Sequence, residues 1–240
     1  KEILELDMKR LHKLLSKKSP QTVKLTLALL RRIVRYGMAK KGIPGLSFSL
    51  KLPSVNNEVI ETLSEKQMAK LLKALRESGD VQVSHLMLLA LYTGMRKGEL
   101  LKLQWADVDF DTGFIRLREP KGKRDVSIPM NESARELLSK HPRTGNFVFC
   151  ADSGRQFHDV RKRIERIRIA ADLPRDFRPL HGLRQMFATT LANSGEIDIY
   201  VLQRLLTHRD VKTTSRYAHL LDQRLKDASA VMDKALKEVG

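Results

Sequence analysis

Four short segments of this chain carry side chains able to do chemistry at fixed spacing. Thr93-Gly94-Met95-Arg96-Lys97-Gly98-Glu99-Leu100 sets Arg96 and Glu99 about one helical turn apart, just after a glycine turn. His181-Gly182-Leu183-Arg184 puts an imidazole and a guanidinium at the same spacing behind Pro179. His208 follows Leu205-Leu206-Thr207, and Tyr217 stands nine residues later in Thr213-Thr214-Ser215-Arg216-Tyr217-Ala218-His219. A planar guanidinium binds two oxygens of a phosphate or carboxylate and stays charged at any relevant pH. A tyrosine hydroxyl is an oxygen nucleophile that needs a base or surrounding positive charge at neutral pH. Each segment alone also has an ordinary structural explanation: an i,i+3 ion pair on a helix surface, or a half-buried tyrosine.

The elements that would have to position these groups can be read from periodicity. Residues 21–40 place Val23, Leu27, Leu30, Val34 and Met38 three and four apart, the apolar stripe of a helix entered after Ser19-Pro20. Lys24, Arg31 and Arg35 fall on a flank beside that stripe, either as a solvated basic face or as a face for DNA phosphates. Gly42 to Asn57, with Pro44, Gly45 and Pro53, reads as a linker. That divides the chain into a helical unit, 1–55, and a larger one, 56–240. In the second, Ser64 caps a helix reaching about Ser78, and further helices are expected at 83–92 and 96–103. Phe114–Arg118 and Val126–Pro129 flank Lys121-Gly122-Lys123-Arg124 as a hairpin with a basic tip. Helical pieces follow at 131–140, 156–171, 180–194, 198–206, 210–218 and 220–238. The fold class is therefore mainly α with a small antiparallel β-sheet, an α+β arrangement.

Composition narrows the partner. The 45 Lys plus Arg against 28 Asp plus Glu leave a formal charge of +17, which favours a polyanion, with nucleic acid first. About 13 basic and 4 acidic side chains in residues 1–60 concentrate that charge early and tilt the flank of residues 21–40 toward DNA. The longest apolar run, Leu86 to Tyr92, is too short to span a bilayer, and no signal peptide is visible. One cysteine, Cys150, allows no internal disulfide and no Cys-rich zinc site, so cytoplasm is the compatible compartment. An opening at Lys1 inside a helical pattern points to a natural N-terminus further upstream.

The order of these motifs, Arg, a hairpin Lys, His-x-x-Arg, His and then Tyr nine residues on, resembles the tyrosine recombinase (phage integrase) family over about residues 60–220. The resemblance implies site-specific cleavage and rejoining of double-stranded DNA through a covalent 3′-phosphotyrosyl bond, with no metal, ATP or other cofactor. It matches Arg96 and Arg184 to a clamp on the scissile phosphate, with Glu99 as an accessory acidic position. His208 becomes a third donor, His181 the general base, Tyr217 the nucleophile and Lys121 the general acid. Lys121 lies eight residues before Pro129, as the family's hairpin lysine does; Lys123 is the other candidate, and with Arg124 is otherwise expected on DNA. Thr207 departs from the family, which usually has glycine there. The resemblance further implies a helical core-binding domain in residues 1–55 and a tetrameric synaptic complex. Accessory DNA-bending or directionality proteins are also expected. The last helix, with Leu221, Leu225, Ala228, Val231, Met232 and Ala235 on one side, would dock on a neighbour or on its own domain, and the resemblance favours the neighbour. Two other functions share these features: a type IB topoisomerase and a catalytically silent DNA-binding protein.

Overall fold

The computed structural model describes residues 5–55, 61–118 and 125–221. It divides into two compact units, 1–59 and 60–240. In the first, α1 (Glu5–Leu15) and α2 (Pro20–Lys41) are helices. Ser19 caps α2 by accepting from the Thr22 backbone at 3.2 Å, Pro20 supplies a preset φ at its first position, and Gly42 ends it at φ 61°. Met8, Leu27 and Leu50 form the core of this unit. The stretch expected to be a plain linker contributes to that core. Leu46, Phe48, Leu50 and Leu52 pack with the helices, because an extended chain turns every second side chain the same way. Met38, expected in the buried stripe, is 49% exposed.

In the second unit, α3 (Glu65–Glu77) begins with a reciprocal cap: Ser64 Oγ accepts from the Gln67 backbone at 3.3 Å and Gln67 Oε1 from the Ser64 backbone at 2.9 Å. Helix α4 (Val81–Thr93) is apolar on nearly all sides and runs through the core, burying Leu86, Met87, Leu89 and Ala90 completely. It packs on α6 (Glu132–Lys140) and α8 (Pro179–Asn193). Between them lie α5 (Lys97–Leu100), a 3-10 turn at Trp105–Asp107 and a three-stranded antiparallel sheet. Its strands β1 (Val108–Asp109), β2 (Phe114–Leu117) and β3 (Val126–Pro129) are ordered β1-β2-β3, with Ile115 opposite Ile128. Alternate residues Ile115, Leu117 and Ile128 face the core. Helix α7 (Arg161–Ala170) starts later than the expected 156, since Gln156 bridges back to Cys150 in extended form. The described residues end with α9 (Ile199–Leu205), α10 (Val211–Thr214) and a 3-10 segment, Ser215–Leu221, where a single α-helix was expected over 210–218. The basic tip Lys121, Lys123 and Arg124, and most of the final helix, lie outside the described residues. Among the described residues no helix is long and apolar enough to cross a membrane.

Candidate active site

The arginine side of the site is built where α4 ends. Gly94 stops the helix at φ 65°, and a Cβ there would meet Phe187 Cδ1 at 2.4 Å, so both backbone and space demand glycine. Two residues on, Arg96 opens α5. Glu99 accepts from the Arg96 backbone at 2.8 Å and from Arg96 Nη1 at 2.7 Å, so one carboxylate both caps the helix and aims the guanidinium. With side-chain exposures of 30% and 10%, this pair is partly buried and not a solvent-facing ion pair.

Arg184 reaches the same place from the second turn of α8, whose close packing on Phe177 is permitted by Gly182. Its Nη1 donates to the Gly94 carbonyl and its Nη2 to the Leu206 carbonyl. It is 8% exposed. Burial, with the Arg96 charge added, lowers its pKa to about 10, while Glu99 and Tyr217 oppose the shift. It therefore stays protonated at neutral pH.

The loop after α9 ties these two side chains together. Leu206 accepts from Arg184, and Thr207, at φ 51°, accepts from Arg96 twice: through its hydroxyl from Nη1 and through its carbonyl from Nη2 at 3.0 Å. His208 is fixed next to them. Its backbone N–H donates to the Gln203 carbonyl at 3.0 Å, and Gln203 Nε2 donates back to its carbonyl at 3.1 Å. Its Nδ1 lies 2.8 Å from Thr214 Oγ1. Burial first, then the charges of Arg184, Arg96 and Arg216, hold the His208 pKa at about 3, so the ring is neutral.

Tyr217 lies on the 3-10 segment and is only 4% exposed, packed with Ala188, Ala192, Leu202 and Leu206. Burial raises its phenol pKa, and the charges of Arg216 and Arg184 pull the other way. His181 sits in the first turn of α8, one turn before Arg184, and its residue stays open to solvent. Desolvation of the ring and then the Arg178 charge lower its pKa, with Glu61 opposing; Glu61 is paired with Arg178 at 2.5 Å.

The structure thus gathers Arg96, Glu99, His181, His208 and Tyr217 within electrostatic reach of Arg184. In the first unit, Lys24 and Arg31 are half-buried and Arg35 is exposed. Arg31 donates to the Leu50 carbonyl, so part of its role is to hold its own unit together. Sequence reasoning missed Arg216. Its Nε is buried with no hydrogen-bond partner among the described residues, and its charge acts on His181, His208 and Tyr217. Its place directly before the tyrosine was the available signal. Also missed was a cleft of about 630 Å³ beside His181, floored by Phe177 and Leu180 and rimmed by Lys97, Arg161, Lys162 and Arg178.

The phage integrase family profile matches residues 61–224. The chain belongs to that family. It is 30% identical over 215 residues to the tyrosine recombinase XerD of Vibrio cholerae, covering 83% of this chain and 70% of that protein. It is 29% identical over 187 residues to a tyrosine recombinase of Thermosipho africanus, covering 75% of this chain but 64% of the relative, so it spans less than two thirds of that length. Its fold is shared with XerH site-specific recombinase bound to palindromic difH substrate, at a TM-score of 0.75 and 23% identity, over 97% of this chain and 73% of the other. The Tn1549 transposon integrase in complex with transposon right-end DNA superposes at a TM-score of 0.78 and 20% identity, over 93% of this chain and 86% of that one.

Proposed function

We propose that this chain cleaves and rejoins double-stranded DNA as a site-specific recombinase. The observation that carries the reading is the pair of guanidinium groups, Arg96 and Arg184, which come from separate helices and are held by consecutive carbonyls of the loop entering His208. Cleaving a phosphodiester gathers negative charge on its non-bridging oxygens, and donors fixed beforehand stabilise that charge without reorganising during the reaction. Arg96, Arg184 and the neutral His208 supply such donors. Tyr217 Oη attacks phosphorus and its proton passes to His181. The 5′ oxygen departs with a proton from Lys121, leaving the 3′ phosphate on tyrosine. A second 5′ hydroxyl reverses the step, so the energy of the broken bond is kept in the phosphotyrosine. Because Tyr217 is buried, attack requires the segment Ser215–Leu221 to move toward the phosphate. No metal, ATP or other cofactor takes part in this scheme.

The net charge of +17 supports tight, salt-dependent binding to backbone phosphates, with Lys24, Arg31, Arg35, Lys123 and Arg124 among the contacts. Residues 1–59 would act as part of a core-binding domain and 60–240 as the catalytic domain, four protomers joining two DNA sites. Accessory DNA-bending or directionality proteins would act on that assembly. The test uses DNA trapped on the protein in its host, rebuilt as a nicked duplex whose cleavage releases a short strand. The wild-type chain is expected to form a covalent adduct and Tyr217→Phe none. Absence of an adduct with the wild-type chain would sink the reading, and relaxation of supercoils without exchange between sites would point to topoisomerase chemistry instead.

A further inference from the structure

Thr207 combines two features that glycine could not supply together. Its backbone lies at φ 51°, a region that β-branched residues avoid, and its hydroxyl bonds Arg96. Glycine would adopt this φ without strain and still offer the carbonyl to Nη2, but it has no hydroxyl. The hydroxyl also lies 3.4 Å from Glu99 Oε1, so it accepts from Arg96 and donates to the carboxylate that holds the same guanidinium. Three of the guanidinium's N–H groups are engaged by Glu99 and Thr207. The two that remain, one on Nε and one on Nη2, have no acceptor among the described residues and form the side edge of the fork, suited to two phosphate oxygens.

We propose that Thr207 is a positioning residue for Arg96: its hydroxyl, closing a ring with Glu99, turns the Nε/Nη2 edge of the guanidinium toward the substrate. This rests on the reading of Arg96 as a phosphate clamp. The strain at Thr207 is the cost of placing that hydroxyl.

Two readouts separate this proposal from the reading beneath it. In the full chain labelled with ¹⁵N-arginine, the Arg96 Nη signals, assigned by their loss in Arg96→Lys, are expected as separate lines from hindered rotation. They should stay separate in Thr207→Ser and merge in Thr207→Val and Thr207→Gly. On the nicked duplex, Thr207→Ser should cleave within about threefold of wild type, while Thr207→Val and Thr207→Gly slow by about tenfold or more with DNA affinity changed by less than about threefold. Thr207→Gly should melt above Thr207→Val, since it removes the strain, which sets positioning apart from a structural loss. Separate lines in both hydroxyl-free variants, or cleavage by them at the wild-type rate, overturn the proposal. If the wild-type chain forms no adduct while its Arg96 lines depend on the Thr207 hydroxyl, the recombinase reading fails and the positioning contact stands.

Discussion

The two ends of the site are built on opposite principles. At the arginine end every cation is anchored: Arg184 to the carbonyls of Gly94 and Leu206, Arg96 to Glu99 and to both polar groups of Thr207. At the tyrosine end the phenol ring is held by apolar contacts with Ala188, Ala192, Leu202 and Leu206, on a 3-10 segment whose hydrogen bonding is poorer than that of an α-helix. An anchored cage is useful when charge develops in place. In the proposed function Tyr217 approaches and retreats from the phosphate, and contacts that can be remade suit that role. Burial also holds the phenol protonated in the absence of a substrate, since its pKa is raised.

The largest effect should come from removing a cage anchor. Arg184→Ala is expected to slow single-turnover cleavage by about a thousandfold or more while changing DNA affinity by less than about threefold. One phosphate contact is a small share of binding but a large share of transition-state stabilisation. The melting temperature should also fall, because the Gly94 and Leu206 carbonyls lose their donor in a buried place. Equal losses in affinity and rate would mean that Arg184 serves only to grip DNA, and the contrast between the two ends would disappear.

A smaller effect tests the tyrosine end. Arg216 is the largest charge opposing the rise in the Tyr217 pKa, and it also depresses His208 and His181. In Arg216→Gln all three pKa values should move up. The pH profile of cleavage should then shift to higher pH on both limbs, the acid limb through His181 and the alkaline limb through Tyr217, with the maximal rate reduced about tenfold. A loss of rate with an unmoved profile would show that Arg216 acts as a phosphate ligand and not on the ionisation of its neighbours.

Much of the machinery was legible because its signals are local. The Ser64 cap, the glycine stop before Arg96, the hairpin strands and the spacing of His181 to Arg184 are all encoded within a few residues. What escaped was set by distant contacts. Arg96 meets Thr207 across 111 positions and Arg184 meets Gly94 across 90, so no periodicity could announce that backbone carbonyls hold both guanidinium groups. The departure from glycine at Thr207 could be seen, but its φ of 51° could not. Residues 46–52 read as linker from the glycine and prolines around them, whereas their apolar side chains alternate at every second position and pack into the core.

The smallest effect concerns the helix that carries Gly94. His85, on α4, faces the buried His141 with their Nδ1 atoms 2.9 Å apart, and His141 Nε2 lies 2.8 Å from the Val148 carbonyl. A carbonyl only accepts, so His141 carries its proton on Nε2. Its Nδ1 is then the acceptor, and His85 must donate from Nδ1. Two protonated rings cannot make this contact. Burial, followed by the charge of His85, lowers the His141 pKa from 6.5 to about 4, and burial lowers that of His85. The unfolded chain therefore binds protons more readily than the folded one between those values. Stability is full above pH 6.5 and declines as pH falls toward 4, by an amount on the order of 1–3 kcal/mol from His141 once solvent screening is allowed for. Denaturant unfolding across that range should show the decline, and His141→Leu should reduce its slope even if the variant is less stable at pH 7. An unchanged slope in His141→Leu would remove His141 as the source and assign the acid sensitivity to the other depressed histidines, His85, His181 and His208.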